Sequence, residues 1–126
     1  MSEIDLCPCG SGKEYFQCCQ LYHDGLMNPS KAEQLMRARY TAYVKKKRDF
    51  ILDTWDEKSR PKFLSFEKDL KWQNLEIIST RLGAEFDEEG WVEFKAYFKQ
   101  NKKKSFQYEN SYFRKIDGKW IYFMLI

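Results

Sequence analysis

Four cysteines, Cys7, Cys9, Cys18 and Cys19, fall within one short segment near the start of the chain, and the remaining residues contain none. Thiols used as ordinary buried hydrophobes would be scattered, whereas a cluster points to a single site. Two short-spaced pairs joined by a tight loop can present four sulfurs to one zinc ion, which takes tetrahedral ligands with Zn–S near 2.3 Å. Between them, Pro8 stiffens the first pair through its fixed φ, and Gly10 and Gly12 permit sharp turns at positive φ. Glycine N–H groups, with Lys13, would offset the two net negative charges of a four-thiolate centre. Tyr15 and Phe16 supply a few apolar contacts, too few for a core. A unit this small needs a staple, and metal binding provides one, on the order of 10 kcal/mol in small zinc peptides.

Other thiol and loop chemistries fit the segment less well. A redox pair wants two residues between its cysteines, beside a βαβ unit; Cys7 and Cys9 are separated by one. A strained disulfide between adjacent Cys18 and Cys19 is a second alternative. Gly10-Ser11-Gly12-Lys13 has the look of a phosphate loop, but Cys7 stands where the first glycine belongs and Glu14 follows the lysine. His23, the only histidine, is expected to face solvent before the Asp24-Gly25 turn, outside the ligand set.

Asp24-Gly25 and Asn28-Pro29 are turn signals, so the cysteine module is assigned to residues 1–27 and a second domain to 28–126. That domain opens with a helix: Ser30 and Glu33 form a capping box, and Ala32, Leu35, Met36, Tyr40, Tyr43 and Val44 recur at helical spacing. Lys45-Lys46-Lys47-Arg48 closes it, with cations at the negative end of the dipole. Asp49 is expected to cap a second helix through Phe50, Ile51, Leu52 and Trp55, and a further helical turn is expected from Phe63 to Leu70. The period then becomes alternating. Leu75, Ile77 and Ile78 mark a strand ending near Leu82-Gly83. In the next, Val92, Phe94, Ala96 and Phe98 oppose Glu93, Lys95, Tyr97 and Lys99. A third spans Ser105 to Lys115, and Asp117-Gly118 is a hairpin signal leading into a last strand, Trp120 to Ile126. Helices followed by a meander of long strands predict an α+β fold, its antiparallel sheet wrapped about the helices.

Composition sets the outer bounds. The chain of 126 residues is 43% hydrophobic and 17% aromatic, enough for a core. Its 22 basic and 19 acidic residues leave a charge of +3, too mild to favour nucleic acid as partner. The basic runs Lys45–Arg48 and Lys102–Lys104 read as solvated ends. No apolar run is long enough to span a bilayer, and the acidic start lacks the order of a signal peptide. The chain reads as cytoplasmic, where clustered thiols are metal ligands more often than disulfides.

Cys7-Pro8-Cys9-Gly10-Ser11-Gly12-Lys13, then an aromatic and Cys18-Cys19, resembles the SEC-C motif, the zinc module at the C-terminus of the translocation ATPase SecA. That resemblance implies a structural site with no open coordination position. Over the whole chain, Leu35-Met36-Arg37-x-Arg39-Tyr40, Thr54-Trp55, Glu109-x-Ser111-x-Phe113 and Gly118-x-Trp120-x-Tyr122 resemble the YchJ family, a SEC-C module followed by a nuclear-transport-factor-2-like domain. The resemblance implies a cone: a cystatin-like curved antiparallel sheet enclosing helices, with a cavity at the wide end. Many relatives carry a second cysteine motif at the C-terminus; with the sequence reaching Ile126 and Phe123-Met124 in place of the usual Asp-Gly, one zinc site and an altered cavity rim are expected.

The family carries no activity across, and no residue stands out as catalytic. A binding or adaptor role is expected, the zinc knob docking on a protein or ribosomal partner as the SecA element suggests. The alternative is a small-molecule ligand in the cone cavity, held or acted on as in lyases and isomerases of this fold. Arg39, Trp55, Glu109 and Ser111 are its candidate residues. The blander expectation pairs Glu109 with Arg39 and packs Trp55 in the core. Tyr40, Tyr43, Tyr108, Tyr112 and Trp120 could line the same pocket. RNA binding through the basic runs is a third, less favoured reading.

Overall fold

The computed structural model describes residues 5–125; the expected end of the last strand, Ile126, lies outside them. A 3-10 turn, Tyr15–Gln17, and a short helix α1, Cys19–His23, precede the long helix α2, Ala32–Lys45, and the short α3, Arg48–Asp53. Four strands follow: β1 (Leu70–Leu82), β2 (Glu89–Gln100), β3 (Lys103–Ile116) and β4 (Lys119–Leu125). They pair antiparallel in sequence order as one meander. Among the described residues no helix is long and apolar enough to cross a membrane.

The sheet curves because its ladders are interrupted. Register slips occur on β1 between Trp72 and Asn74 and between Ile77 and Ser79, and at the β3–β4 pairing between Tyr112 and Phe113. Each bulge bends its strand and increases its twist. The concave face carries Leu75, Val92, Phe94, Ala96, Phe113 and Trp120, which close on Ala32, Leu35, Met36 and Tyr40 of α2 as the main core. The alternation of β2 is as expected: Val92, Phe94 and Ala96 are buried, and the residues between them are not. The hairpin at Asp117-Gly118 also forms as expected, both residues at positive φ (53° and 79°).

Three helical expectations require correction. The cap of α2 is not Ser30–Glu33. The helix begins at Ala32, whose N–H donates to Gly83 C=O (3.0 Å). This tertiary anchor shifts the start, so Gln34 Oε1 accepts from the N–H groups of Ser30 (2.9 Å) and Lys31 (3.2 Å). Glu33 is thereby released to pair with Arg37 at 2.9 Å. Asp49 does not cap α3; it sits in the first turn after Lys47, where its charge still suits the dipole. Trp55 lies beyond that helix, and Thr54–Asp56 runs along β4 instead, with Tyr122 N–H donating to Thr54 C=O (2.8 Å) and Asp56 N–H to Tyr122 C=O (2.9 Å).

The expected helical turn from Phe63 to Leu70 is absent; the segment runs without regular structure into a turn at Lys68–Asp69. Leu64 and Phe66 are half-buried while Phe63 and Ser65 are exposed, the alternation of an extended chain and not of a helix. The segment is held by Arg48 Nε, which donates to Leu64 C=O (2.6 Å), and by the edge-to-face contact of Phe66 with Tyr43.

Candidate functional site

A narrow ribbon brings the four cysteines together. Leu6 bridges Glu14 antiparallel, Cys7 N–H donates to Lys13 C=O (2.8 Å), and Tyr15 N–H donates to Asp5 C=O (2.8 Å). Gly10 and Gly12 turn the tip at φ 84° and 86°, values that favour glycine. The 3-10 turn then delivers Cys18, and α1 begins on Cys19. All four Sγ atoms lie within 4.8 Å of one another, Cys9 to Cys18 at 3.7 Å and Cys18 to Cys19 at 4.0 Å. Tetrahedral sulfurs about 2.3 Å from one ion stand about 3.8 Å apart, so the donor set fits a single metal. The adjacent cysteines are both free thiols, with no disulfide between them.

The sulfurs are shielded. Cys7, Cys9 and Cys19 are buried, and Cys18 is half-buried. Hydroxyls stand against them: Ser11 Oγ is 3.2 Å from Cys18 Sγ, and Thr41 Oγ1 is 3.7 Å from Cys7 Sγ. The Gly10 N–H does not serve this purpose, since it donates to Cys7 C=O (3.3 Å). Four thiolates at this spacing repel one another and require a cation. Among the protein groups alone, hydrogen bonds from Cys19 and Cys9 pull the Cys7 thiol far below its ordinary range. The Cys19 thiol is pushed above it, chiefly by hydrogen bonding to the Cys7 and Cys9 sulfurs.

The cysteine unit is packed on α2 rather than standing free. Arg37 Nη1 donates to Cys9 C=O (2.6 Å), Lys45 Nζ lies 3.7 Å from Asp5 and 4.6 Å from the centre of the Tyr15 ring, and Ala38 joins the cysteines in a second core cluster. The basic run is therefore not simply a solvated end: Lys45 is committed here, and Arg48 to Leu64 and Phe66.

His23 is also corrected. It does not face solvent: Nε2–H donates to Ala38 C=O (2.8 Å), Nδ1 accepts from the Tyr15 hydroxyl (2.7 Å), and Phe50 packs against the ring at 4.7 Å. Burial holds its imidazole pKa below the ordinary value. The unfolded chain, near pH 6.5 for histidine, then binds the proton that the folded chain refuses. His23 thus contributes stability above about pH 6.5, lost as pH falls toward the folded-state value. In urea unfolding at descending pH, His23→Gln is expected to flatten this part of the profile relative to the parent. Parallel profiles would show that His23 does not titrate with folding.

On the opposite side of α2 lies a cavity of about 300 Å³ between helix and sheet. It brings together all four candidate residues, Arg39, Trp55, Glu109 and Ser111. Arg39 is 4% exposed; its Nη1 donates to Ile51 C=O and to Thr54 Oγ1, both at 2.8 Å. The guanidinium lies over the rings of Trp55 (5.1 Å) and Tyr122 (4.6 Å). Burial lowers its pKa to about 10, so it stays a cation at neutral pH. The expected Glu109–Arg39 pairing is not made: among the described residues no ion pair joins them. Glu109 instead accepts from Gln107 Nε2 (2.6 Å) and Ser111 Oγ (3.2 Å). Burial pushes the Tyr122 hydroxyl up to about 12, with the Glu109 charge contributing.

Of the aromatics expected to line a pocket, Tyr40 and Tyr43 do. Trp120 is buried in the core, its Nε1–H on Ser30 C=O (3.0 Å). Tyr108 and Tyr112 bond to Glu93 and Glu89 instead, residues that alternate with the inward positions of β2. Three further lining rings, Trp72, Phe94 and Tyr122, are not among the sequence candidates for the pocket. Trp72 flanks a bulge that breaks the alternation by which an inward face is recognised. Tyr122 alternates with Trp120, a signal that marks it as an inward partner.

Two family models match the chain: "SEC-C motif" over residues 5–21 and "YchJ, middle NTF2-like domain" over 31–124. The chain belongs to the YchJ family. Among its YchJ relatives, the UPF0225 protein of Corynebacterium efficiens is 45% identical, covering 92% of this chain and 88% of its own length. A UPF0225 protein of Corynebacterium glutamicum is 40% identical, covering 92% of each. The solution structure of a SEC-C motif containing protein from Rhodopseudomonas palustris superposes with a TM-score of 0.85 at 30% identity, over 95% of this chain and 96% of that one. A crystal structure of a sec-c motif containing protein from Psychrobacter arcticus gives 0.78 at 30% identity, over 94% and 80%. Within the YchJ architecture, the SEC-C match contains all four cysteines and the NTF2-like match contains every residue of the cavity. Helix α2 separates the two sites.

Proposed function

We propose that this member of the YchJ family is a small-molecule-binding module held in shape by one structural zinc ion, with the cone cavity as its binding site. The observation that carries the reading is the cavity itself, where a buried cation and a carboxylate free of ion pairing face an aromatic-lined space. Pockets of this kind, apolar with a few convergent polar groups, are characteristic of ligand sites. Zinc is supported by four sulfur donors at tetrahedral spacing. With all four positions taken by sulfur, the ion would order the fold and leave no place for a substrate. A cytosolic, reducing setting keeps such thiols available.

An environment-sensitive apolar dye tests the cavity. Ala96 lines it and is 4% exposed, so Ala96→Phe fills it. The parent is expected to bind and brighten the dye, and the variant to bind at least tenfold more weakly at unchanged far-UV circular dichroism. Equal binding by both would refute the cavity as the site.

A second reading, docking of the zinc knob on a protein or ribosomal partner, is supported by Phe16, Leu26 and Met27, exposed at 56%, 72% and 54%. Apolar groups left in solvent beside a rigid unit favour contact with a partner. Co-sedimentation with purified ribosomes, lost on Phe16→Ser with Leu26→Ser, is expected if ribosomes are that partner. Absence of the parent from the pellet would remove the ribosome from this reading.

A further inference from the structure

The inner cavity opens beside a second, wider one of about 640 Å³, and Tyr43, Trp72 and Gln107 line both. The two differ in chemistry. The inner chamber is walled by rings and holds one buried guanidinium and one carboxylate. The outer chamber carries three lysines, Lys46, Lys68 and Lys71, and its one carboxylate, Glu67, accepts a hydrogen bond from Gln100 Nε2 (2.6 Å). A ligand that fills both therefore has a flat, ring-like part with hydrogen-bonding edges and an anionic part attached to it.

The edges can be specified further. Each Glu109 oxygen accepts one protein hydrogen bond and keeps a second lone pair, so the carboxylate asks for adjacent N–H donors. Arg39 lines the cavity and makes its protein hydrogen bonds through Nη1, so its other N–H groups ask for an acceptor. Guanine combines both demands: N1–H and the N2 amino group side by side, and the O6 and N7 acceptors that arginine commonly reads. Adenine presents an acceptor at N1, which a carboxylate repels. A cavity near 300 Å³ is at the small end for ligand sites and suits a two-ring base, and Trp72 and Tyr43 supply ring faces for it.

Resting on the cavity reading, we propose that the ligand is a guanine nucleotide. Its base lies in the inner chamber between Arg39 and Glu109, and its phosphate in the outer one among Lys46, Lys68 and Lys71. No bond is made or broken in this proposal; it is a binding site.

Titration calorimetry on the zinc-loaded 126-residue chain separates the parts of the claim, using GMP, AMP, guanosine and inorganic phosphate, with the apolar dye as reporter. GMP is expected to bind at least tenfold more tightly than AMP and than guanosine, to displace the dye, and to weaken with added salt. Glu109→Gln is expected to remove the preference for GMP over AMP. Lys68→Ala with Lys71→Ala is expected to reduce GMP to the affinity of guanosine, and Ala96→Phe to abolish binding of both. Should Glu109→Gln fold poorly, the GMP-to-AMP ratio of the parent and the Ala96→Phe variant still decide the matter. No GMP binding at millimolar concentration, with dye binding intact, overturns the nucleotide proposal and leaves the cavity reading standing. Loss of both dye and GMP binding overturns both. Equal binding of GMP, AMP and phosphate, unaffected by Ala96→Phe, would mean surface charge alone and also overturns the proposal.

Discussion

Stripping the metal from the cysteine site is expected to release the N-terminal unit from α2 and lower the melting temperature by about 10 °C or more. The unit has little else to hold it. Its buried cluster is Cys7, Cys9, Tyr15 and Cys19 against a single alanine of the helix, Ala38, so the free energy of metal binding is largely its folding energy. The rest of the chain has its own core between α2 and the sheet and is expected to keep its strand signal. The loss of the contacts at Arg37, Ala38 and Lys45 then appears as a few kcal/mol, each worth roughly 2–8 °C in a chain of this size. Cys9→Ser, at a fully buried cysteine of the cluster, should reproduce the effect of a chelator, and added zinc should rescue the chelated parent but not the variant. Elemental analysis should give one zinc per chain. A metal-free parent with an unchanged melting temperature would disprove the structural role.

Gly90→Ala is expected to be the most damaging of the glycine-to-alanine changes outside the cysteine site. A Cβ there would lie 2.5 Å from Gly83 Cα and 2.8 Å from Gly83 N, closer than non-bonded atoms approach. Neither neighbour can rotate away, because both are backbone. Gly83 is itself held at φ 80°, with Ala32 Cβ 2.9 Å from where its own Cβ would be. Three segments meet there: Gly83 N–H donates to Glu89 C=O (3.0 Å), and Gly83 C=O receives the first N–H of α2 (3.0 Å). Overpacking of this kind costs about 1–3 kcal/mol, occasionally more, and here it also disturbs the start of the helix that carries Arg39. Gly25→Ala is the comparison: φ is 75° but nothing lies within 4 Å, so only the left-handed backbone cost of about 1 kcal/mol applies. Equal losses for the two variants in urea unfolding would show that the close approach is not rigid.

Features that depend on near neighbours in the chain are legible in the sequence itself. Cysteine spacing selects a common site because the ribbon and 3-10 turn joining the pairs are short. Asp117-Gly118 specifies its turn through its own backbone preferences, and β2 declares its inward face by strict alternation. Glu109 and Ser111 share one face of β3 by alternation, Arg39 and Trp55 stand on the helical side, and the fold brings all four to one cavity.

Features that depend on a distant partner are not legible there. The start of α2 is decided by Gly83, far along the chain, so the capping pattern at Ser30 and Glu33 points one residue off. His23 is half-buried because Tyr15, Ala38 and Phe50 converge on it, which no local pattern records. Glu109 and Arg39 remain apart because β3 supplies the carboxylate with Gln107 and Ser111 while Thr54 and two rings hold the guanidinium. Local sequence thus determined the four-cysteine cluster, the strand faces and the turns, since those energies arise within a few residues. Only tertiary packing decided that the cysteine unit is seated on α2, and that a cation and a carboxylate face one cavity unpaired, because those distances are set by how the sheet bends around the helix.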